Sequence, residues 1–145
     1  MYLVIGLGNP GKQYEATRHN MGFATIDVLV ERHKIPQGGV KFNAMYGSGF
    51  IGGEKVIFMK PLSFMNLSGG PVQEMAAQKF MRVKIGVGAK PKGWNLADHV
   101  LGRFSSGDRK LVDEAIEFAA DAVEKIITDG PDAAMNEYNR KRVTE

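Results

Sequence analysis

The side chains best suited to chemistry cluster near the start of the chain, in the segment VIGLGNPGKQYEATRHN from Val4 to Asn20. Asn9 carries a carboxamide that can both donate and accept hydrogen bonds, and the following Pro10 restricts its backbone. His19 stands just before the first helical pattern, and an imidazole with an ordinary pKa of about 6.5 can act as a general base at neutral pH. The segment is therefore a candidate site for base-catalysed chemistry, although an ordinary surface histidine beside a helix start fits His19 equally well.

The glycines of the same segment raise a second possibility, a dinucleotide site. Gly6, Gly8 and Gly11 satisfy the pattern G-x-G-x-x-G after an apolar run. In dinucleotide-binding enzymes a helix with apolar positions begins at this motif, so that its first N–H groups meet the pyrophosphate. Here no apolar helical face follows until Phe23, and Asp27 falls within a helix pattern rather than after a second strand. We therefore expect no nicotinamide or flavin cofactor.

A second amide lies in the segment PLSFMNLSG, just before a helix pattern that Ser68 can cap. Asn66 can face the same crevice as the first loop, with Phe64 and Met65 as apolar walls. From the residues alone, a turn or capping asparagine packed on core side chains is the more ordinary interpretation. Asn66 therefore enters as a candidate that needs support from elsewhere in the chain.

Composition narrows the class of protein. With 145 residues, 43% of them hydrophobic, the chain is long enough for one domain with a sizeable core. It has no cysteine, which excludes disulfides and thiolate metal sites, and its start shows neither a signal peptide nor a membrane-spanning stretch. The patterns G-x-S-x-G, H-E-x-x-H and the P-loop are also missing. We expect a cytoplasmic protein without a metal ion or a serine nucleophile.

Positive charge is unevenly distributed along the chain. The formal net charge is only +3, but the stretch from 79 to 103 has many basic residues and a single acidic one, Asp98. Such a face suits a polyanion, because lysine and arginine gain free energy by neutralising phosphates and releasing counterions. A solvated basic loop explains the charge equally well. The basic residues of this stretch are Lys79, Arg82, Lys84, Lys90, Lys92 and Arg103.

Hydropathy patterns predict the elements that must position these side chains. A short buried strand at Tyr2 to Ile5 precedes the polar loop, and Asn20 can cap a helix over Met21 to His33. Two strands, Phe42 to Ile51 and Glu54 to Lys60, are joined by Gly52-Gly53. A helix at Pro71 to Phe80 and a strand around Val83 to Val87 follow. The last element is a helix at Asp108 to Asp129, which Ser105 or Ser106 can cap and Gly130-Pro131 ends, before a polar, basic tail. The long helix places on one face Leu111, Val112, Ala115, Ile116, Ala119, Val123, Ile126 and Ile127.

One junction in this plan lacks a connection. The helix pattern that ends near Phe80 meets the strand pattern that begins near Arg82 with almost nothing between them. Helix-to-strand connections in α/β units usually take about 2 to 6 residues. Either one of the two element assignments is wrong, or a segment is missing near residues 78–82.

Three motifs, taken together, point to one family. They are GLGNPGKQYEATRHNMGF from Gly6 to Phe23, KPLSFMNLSGGPV from Lys60 to Val72, and RVKIGVG followed at a distance by VLGRFS from Val100 to Ser105. The first two are highly specific, and the three cover nearly the whole chain in order. The chain resembles the bacterial-type peptidyl-tRNA hydrolases.

This resemblance implies a fold and an activity. The fold would be a single α/β domain over residues 1–145, a mixed, mostly parallel twisted sheet flanked by helices, active as a cytoplasmic monomer without metal or cofactor. The activity would be hydrolysis of the ester between peptide and tRNA in peptidyl-tRNA, which recycles tRNA during translation. The implied site residues are His19 as the catalytic base, Asn9 and Asn66 as amides holding substrate or water, and Tyr14, Phe64 and Met65 as walls of the peptide crevice. Candidate contacts to tRNA phosphates are Arg82, Lys84, Lys90 and Arg103.

The chain departs from the family at the unconnected junction. There, family members continue through a strand, a hairpin and a glycine-rich segment similar to GGHNGLKS, which supply the aspartate that orients the catalytic histidine and a further site asparagine. Either the sequence omits residues that the protein contains, or they are deleted, or the chain is a natural shortened relative without catalysis. An inactive homologue acting as an RNA-binding or protein-interaction module is thus the alternative function. The joint presence of Asn9, His19 and Asn66 favours the enzyme.

Overall fold

Four strands form one mixed sheet within the part of the chain that the computed structural model describes, residues 1–41, 43–62, 81, 83–85 and 104–139. In chain order they are β1 (Tyr2–Ile5), β2 (Gln37–Lys41), β3 (Ala44–Ile51) and β4 (Glu54–Pro61), and they lie side by side as β1-β4-β3-β2. β1 runs parallel to β4, whereas β3 is antiparallel to both of its neighbours. The predicted mixed sheet is confirmed, with antiparallel pairings in the majority among the described strands.

The turn between β3 and β4 is made by Gly52 and Gly53, as predicted. Their φ angles of 57° and 81° lie in the left-handed region, which both central residues of a favoured two-residue hairpin turn require and which glycine adopts without strain. Ile51 pairs with Glu54 directly across this turn. The hairpin thereby sets the register of β4 and the point at which β4 ends beside β1.

Pro36, Gly38 and Gly39 are residues of the kind that end a helix, but β2 begins among them at Gln37. Glycine and proline give this segment a low strand propensity, and β2 forms because it pairs with β3. The ring of Tyr46 covers Gly38, where a Cβ would lie 2.7 Å from Tyr46 Cε2. The next strand, β3, starts at Ala44 because the preceding Asn43, with φ 53°, belongs to the turn.

Three helices accompany the sheet in the described residues: α1 (Met21–Arg32), α2 (Ser106–Asp129) and α3 (Pro131–Tyr138). α1 and α2 confirm the prediction to within two residues. α2 starts slightly early because the Ser105 side chain accepts a hydrogen bond from the Asp108 N–H at 3.2 Å, as a helix cap does.

One expectation for the long helix is wrong, and one further helix follows it. Leu111 is 53% exposed rather than part of the apolar face, because Val112 and Ile116 are the residues that pack against Met21, and Leu111 lies to one side of them. The sequence predicts no element for the segment after Gly130, which forms α3, and there Tyr138 packs edge-to-face on Phe118 of α2 at 4.7 Å between ring centroids.

α1 packs between the sheet and α2. Its buried side chains Ile26 and Leu29 join residues of the hairpin and of α2 in one core. Arg32 at its end donates hydrogen bonds to Glu117, Asp121 and Glu124, which lie on one face of α2. The buried members of this core are Ile26, Leu29, Ile35, Ile51, Val56, Phe58, Ala120, Val123 and Ile127.

The predictions around the unconnected junction have mixed outcomes. Val83, Lys84 and Ile85 have no regular secondary structure, so the predicted strand is wrong at these residues. Alternation over three residues forms a strand only where a neighbouring edge pairs with it, and Ile85 instead packs beside Met21. The predicted helix at Pro71 to Phe80 lies outside the described residues.

Candidate active site

The candidate site begins where β1 ends. The Gly6 N–H donates to the Met59 carbonyl at 2.9 Å and continues the parallel pairing one residue beyond the strand. The chain then turns away, and Asn9 is buried, with only 7% of its surface exposed. Loops at the carboxyl ends of parallel strands are where open α/β sheets place their ligands. The fold therefore puts Asn9 at the edge of the sheet where a ligand site is expected.

The glycines of this loop allow it to lie directly on α1. A Cβ at Gly6 would come within 2.5 Å of the Gly22 carbonyl oxygen, and one at Gly8 within 2.8 Å of the Phe23 ring. Gly22 faces the loop in turn, since a Cβ there would lie 2.5 Å from the Leu7 nitrogen. No real side chain tolerates such distances. Packing of the loop against α1 thus accounts for the glycines at 6 and 8 of the G-x-G-x-x-G pattern.

Asn20 occupies the cap position of α1, as predicted, but its side chain makes no capping hydrogen bond. Its Oδ1 instead accepts from the Asn9 N–H at 2.8 Å, and its Nδ2 donates to the Asn9 carbonyl at 3.0 Å. Both bonds are buried. A residue expected to start a helix thus holds the backbone of the candidate site residue Asn9.

Two short 3₁₀ turns connect Asn9 to α1, at Lys12–Tyr14 and Arg18–Asn20. Thr17 lies between them, 1% exposed, and its Oγ1 donates to the Tyr14 carbonyl at 2.7 Å. The Asn20 N–H donates to the Thr17 carbonyl at 3.1 Å. Through Thr17, these bonds tie the second turn to half-buried Tyr14 at the end of the first turn. Nothing in the sequence singles out Thr17 for this task.

His19 sits in the middle of the second turn and is half-buried. Partial burial removes water from the imidazole and lowers its pKa below the ordinary 6.5. The neutral form, which can accept a proton, therefore predominates at neutral pH. The turn is held from its other side by Arg18, whose guanidinium lies 4.5 Å from the ring centroid of Phe104. In the sequence, Phe104 stands out only as part of the VLGRFS motif.

The structure thus brings Asn9, Tyr14 and His19 into one loop closed by Asn20. The other predicted peptide-side residues, Phe64, Met65 and Asn66, lie outside the described residues. So do three of the predicted tRNA contacts, Arg82, Lys90 and Arg103. The fourth, Lys84, is described and exposed.

Across the described ranges, no group of three or more histidine, aspartate or glutamate side chains is arranged to hold a metal ion. Among the helices described, none combines the length and apolar character that crossing a membrane requires.

Comparison with known proteins gives a consistent family. The family model for peptidyl-tRNA hydrolase matches residues 3–79 and 74–145. The peptidyl-tRNA hydrolase of Agathobacter rectalis is 40% identical, with 96% of this chain and 100% of the relative covered. That of Lachnoclostridium phytofermentans is 38% identical, with 99% of each covered. A crystal structure of peptidyl-tRNA hydrolase from Acinetobacter baumannii superimposes with a TM-score of 0.87 at 26% identity, covering 98% of this chain and 96% of that one.

The same comparisons show that this chain is shorter than its relatives. The alignments with the two relatives extend over 186 and 189 positions, whereas this chain has 145 residues, so more than 40 positions of each have no counterpart here. The family model matches in two pieces that overlap at residues 74–79. A segment missing near residues 78–82 stays a prediction, which this split match supports.

Proposed function

The chain belongs to the peptidyl-tRNA hydrolase family, and we infer that it hydrolyses the ester bond between peptide and tRNA in peptidyl-tRNA, which recycles tRNA during translation. The single observation that carries the site is the loop in which Asn20 ties Asn9 to the turn bearing His19. No comparison favours an inactive RNA-binding homologue. We propose a single-domain, cytoplasmic monomer that needs no metal or cofactor.

Neutral His19 acts as the general base in this proposal. It takes a proton from a water molecule as the water oxygen attacks the ester carbonyl carbon, and the bond to the ribose oxygen then breaks. The imidazolium returns the proton to that oxygen, which leaves as the ribose hydroxyl of tRNA. The peptide forms as a carboxylic acid, which releases the second proton of the attacking water to solvent and leaves as a carboxylate, and no covalent enzyme intermediate forms.

Amides complete the proposed site. The carboxamides of Asn9 and Asn66 donate N–H groups toward the oxyanion that develops on the carbonyl, each such donor contributing about 3 kcal/mol. Natural peptides differ in their side chains, so hydrogen bonds to the peptide backbone suit recognition better than a shaped apolar pocket. Tyr14, Phe64 and Met65 form the walls of that crevice.

The tRNA is bound mainly through its phosphates, which supply affinity without sequence preference. The proposed contacts are Arg82, Lys84, Lys90 and Arg103. Lys84 supports this assignment by being exposed. The acidic face of α2 around Arg32, with Glu117, Asp121 and Glu124, repels a polyanion and faces away from tRNA in this proposal.

The pH dependence of hydrolysis tests the base. Only neutral His19 accepts a proton, and partial burial lowers its pKa, so activity is retained as pH falls to 6.5 and is lost below it. We expect kcat/KM, measured from about pH 4.5 to about pH 8, to rise with pH through one midpoint below 6.5. A midpoint well above 6.5 would contradict a base whose pKa is set by burial.

The activity itself is tested with tRNA carrying a blocked, radiolabelled aminoacyl group. We expect catalytic release of the label by the purified chain, with multiple turnovers per molecule. The controls are tRNA whose aminoacyl group is not blocked, and the blocked substrate incubated without protein. Tight binding of the tRNA without release would instead support the inactive homologue and overturn the proposal.

A further inference from the structure

Asn20 makes a contact that its cap position does not require. Its side chain is buried and bonds to both backbone polar groups of a single residue eleven positions earlier, Asn9. A carboxamide presents one acceptor and one donor side by side in a plane, which matches the N–H and C=O of one residue. Two bonds to one residue fix its position and also its orientation.

The surroundings of Asn20 are built around this pair of bonds. Gly8 lacks a Cβ, which would lie 2.8 Å from Asn20 Oδ1 and push it away. On the other side, the Asn20 N–H is fixed to the Thr17 carbonyl at 3.1 Å. Asn20 therefore connects two parts of the loop that the chain separates, the Asn9 backbone and the turn that carries His19.

We infer that Asn20 is a positioning residue for the hydrolysis proposed above, on which this inference rests. It sets where the Asn9 carboxamide stands relative to the His19 imidazole, and it does so without touching the substrate. An amide donor must reach the carbonyl oxygen at the moment His19 activates the water. The two groups lie ten residues apart, and the Asn20 side chain connects the Asn9 backbone directly to the residue that follows His19.

The test replaces Asn20 by leucine, which has a similar size and removes both bonds. We expect kcat/KM for peptidyl-tRNA to fall about 100-fold, the order of loss caused by displacing a catalytic group by about 1 Å. Most of the loss should fall on kcat, because the tRNA contacts are untouched. The Asn9 amide, whose N–H loses its acceptor, should also exchange its hydrogen faster with solvent by NMR.

A matched control separates positioning from stability. Thr25→Val removes one buried hydrogen bond of α1, from Thr25 Oγ1 to the Met21 carbonyl at 2.9 Å, and leaves Asn9 alone. We expect a lowered melting temperature and unchanged kcat/KM. If Asn20→Leu does not fold, the test uses Asn20→Asp, which keeps the side-chain shape and an acceptor oxygen but has no N–H donor. We expect its kcat/KM to fall about 10-fold, measured at the pH where the activity of this variant is highest.

The outcomes are distinguishable. Equal losses of kcat/KM in Asn20→Leu and Thr25→Val would reduce Asn20 to a structural role and overturn the inference. Full activity of Asn20→Leu, or an Asn9 amide that exchanges as slowly as in the parent chain, would also overturn it. A parent chain without hydrolysis would overturn the proposed function and this role with it, whereas an active parent isolates the inference.

Discussion

Replacing His19 by alanine is expected to remove nearly all turnover of peptidyl-tRNA and to leave tRNA binding largely intact. The imidazole is the proposed base, and a positioned general base contributes about 10²- to 10⁴-fold to a rate. The methyl group of alanine accepts no proton, while the phosphate contacts lie elsewhere. The measurement is single-turnover ester cleavage at saturating protein, together with tRNA affinity by filter binding.

The chain supplies a matched control in His33, at the far end of α1. His33 is also half-buried, but its Nε2 lies 3.6 Å from Glu124 on α2, away from the loop that carries Asn9. His33→Ala should therefore cleave peptidyl-tRNA at the parent rate. Unchanged cleavage by the His19→Ala variant would remove His19 from its role, and equal losses in both variants would point to a folding defect.

Elements with a long, regular pattern could be predicted from the sequence. The apolar period of α2 extends over six turns, so that local errors average out, and the Gly52-Gly53 pair leaves few alternatives to a tight hairpin. β2 could not be predicted, because its residues have weak strand propensity and its existence depends on the edge offered by β3. Leu111, predicted on the apolar face, is 53% exposed, because the helical period alone does not determine how wide the buried face of α2 is.

For the site, the sequence identified the types of residue but not what holds them. Asn9 and His19 stand out because a carboxamide and an imidazole carry chemistry. The bonds from Asn20 to Asn9 join positions eleven residues apart, and asparagine before a helix ordinarily indicates a cap. Thr17 is equally inconspicuous, although its hydroxyl closes the loop at Tyr14. Such contacts follow from tertiary structure, which no local pattern encodes.

The junction near residues 78–82 shows where local patterns conflict with chain geometry. A helix pattern that ends near Phe80 leaves almost no connection to a strand pattern that begins near Arg82. Because the predicted strand is wrong at residues 83–85, this conflict alone does not establish a missing segment. The alignments add that more than 40 positions of each of the two relatives have no counterpart here, and the family model matches in two pieces that overlap at residues 74–79. The position of the gap near residues 78–82 stays a prediction that these matches support.

Gly22→Ala is expected to destabilise the protein, against the usual direction of this substitution in a helix. Alanine ordinarily stabilises a helix by up to about 1 kcal/mol relative to glycine. In α1 the new Cβ would lie 2.5 Å from the Leu7 nitrogen and 2.6 Å from its oxygen, and backbone atoms cannot rotate away. Overpacking of this kind costs about 1 to 3 kcal/mol. A lower melting temperature by calorimetry is the expected result.

The same substitution should impair catalysis beyond its effect on stability. To admit the methyl group, Leu7 must move away from α1, and the displacement passes along the chain through Gly8 to Asn9. Gly107→Ala is the matched control, because a Cβ added to this glycine of α2 would meet no described atom within 4 Å. We expect Gly107→Ala to be neutral or stabilising with full activity, and Gly22→Ala to lose kcat/KM even well below its melting temperature. A Gly22→Ala variant as stable and active as Gly107→Ala would show that the loop does not pack directly against α1. That result would also contradict the positions of Asn9 and His19 that depend on this contact.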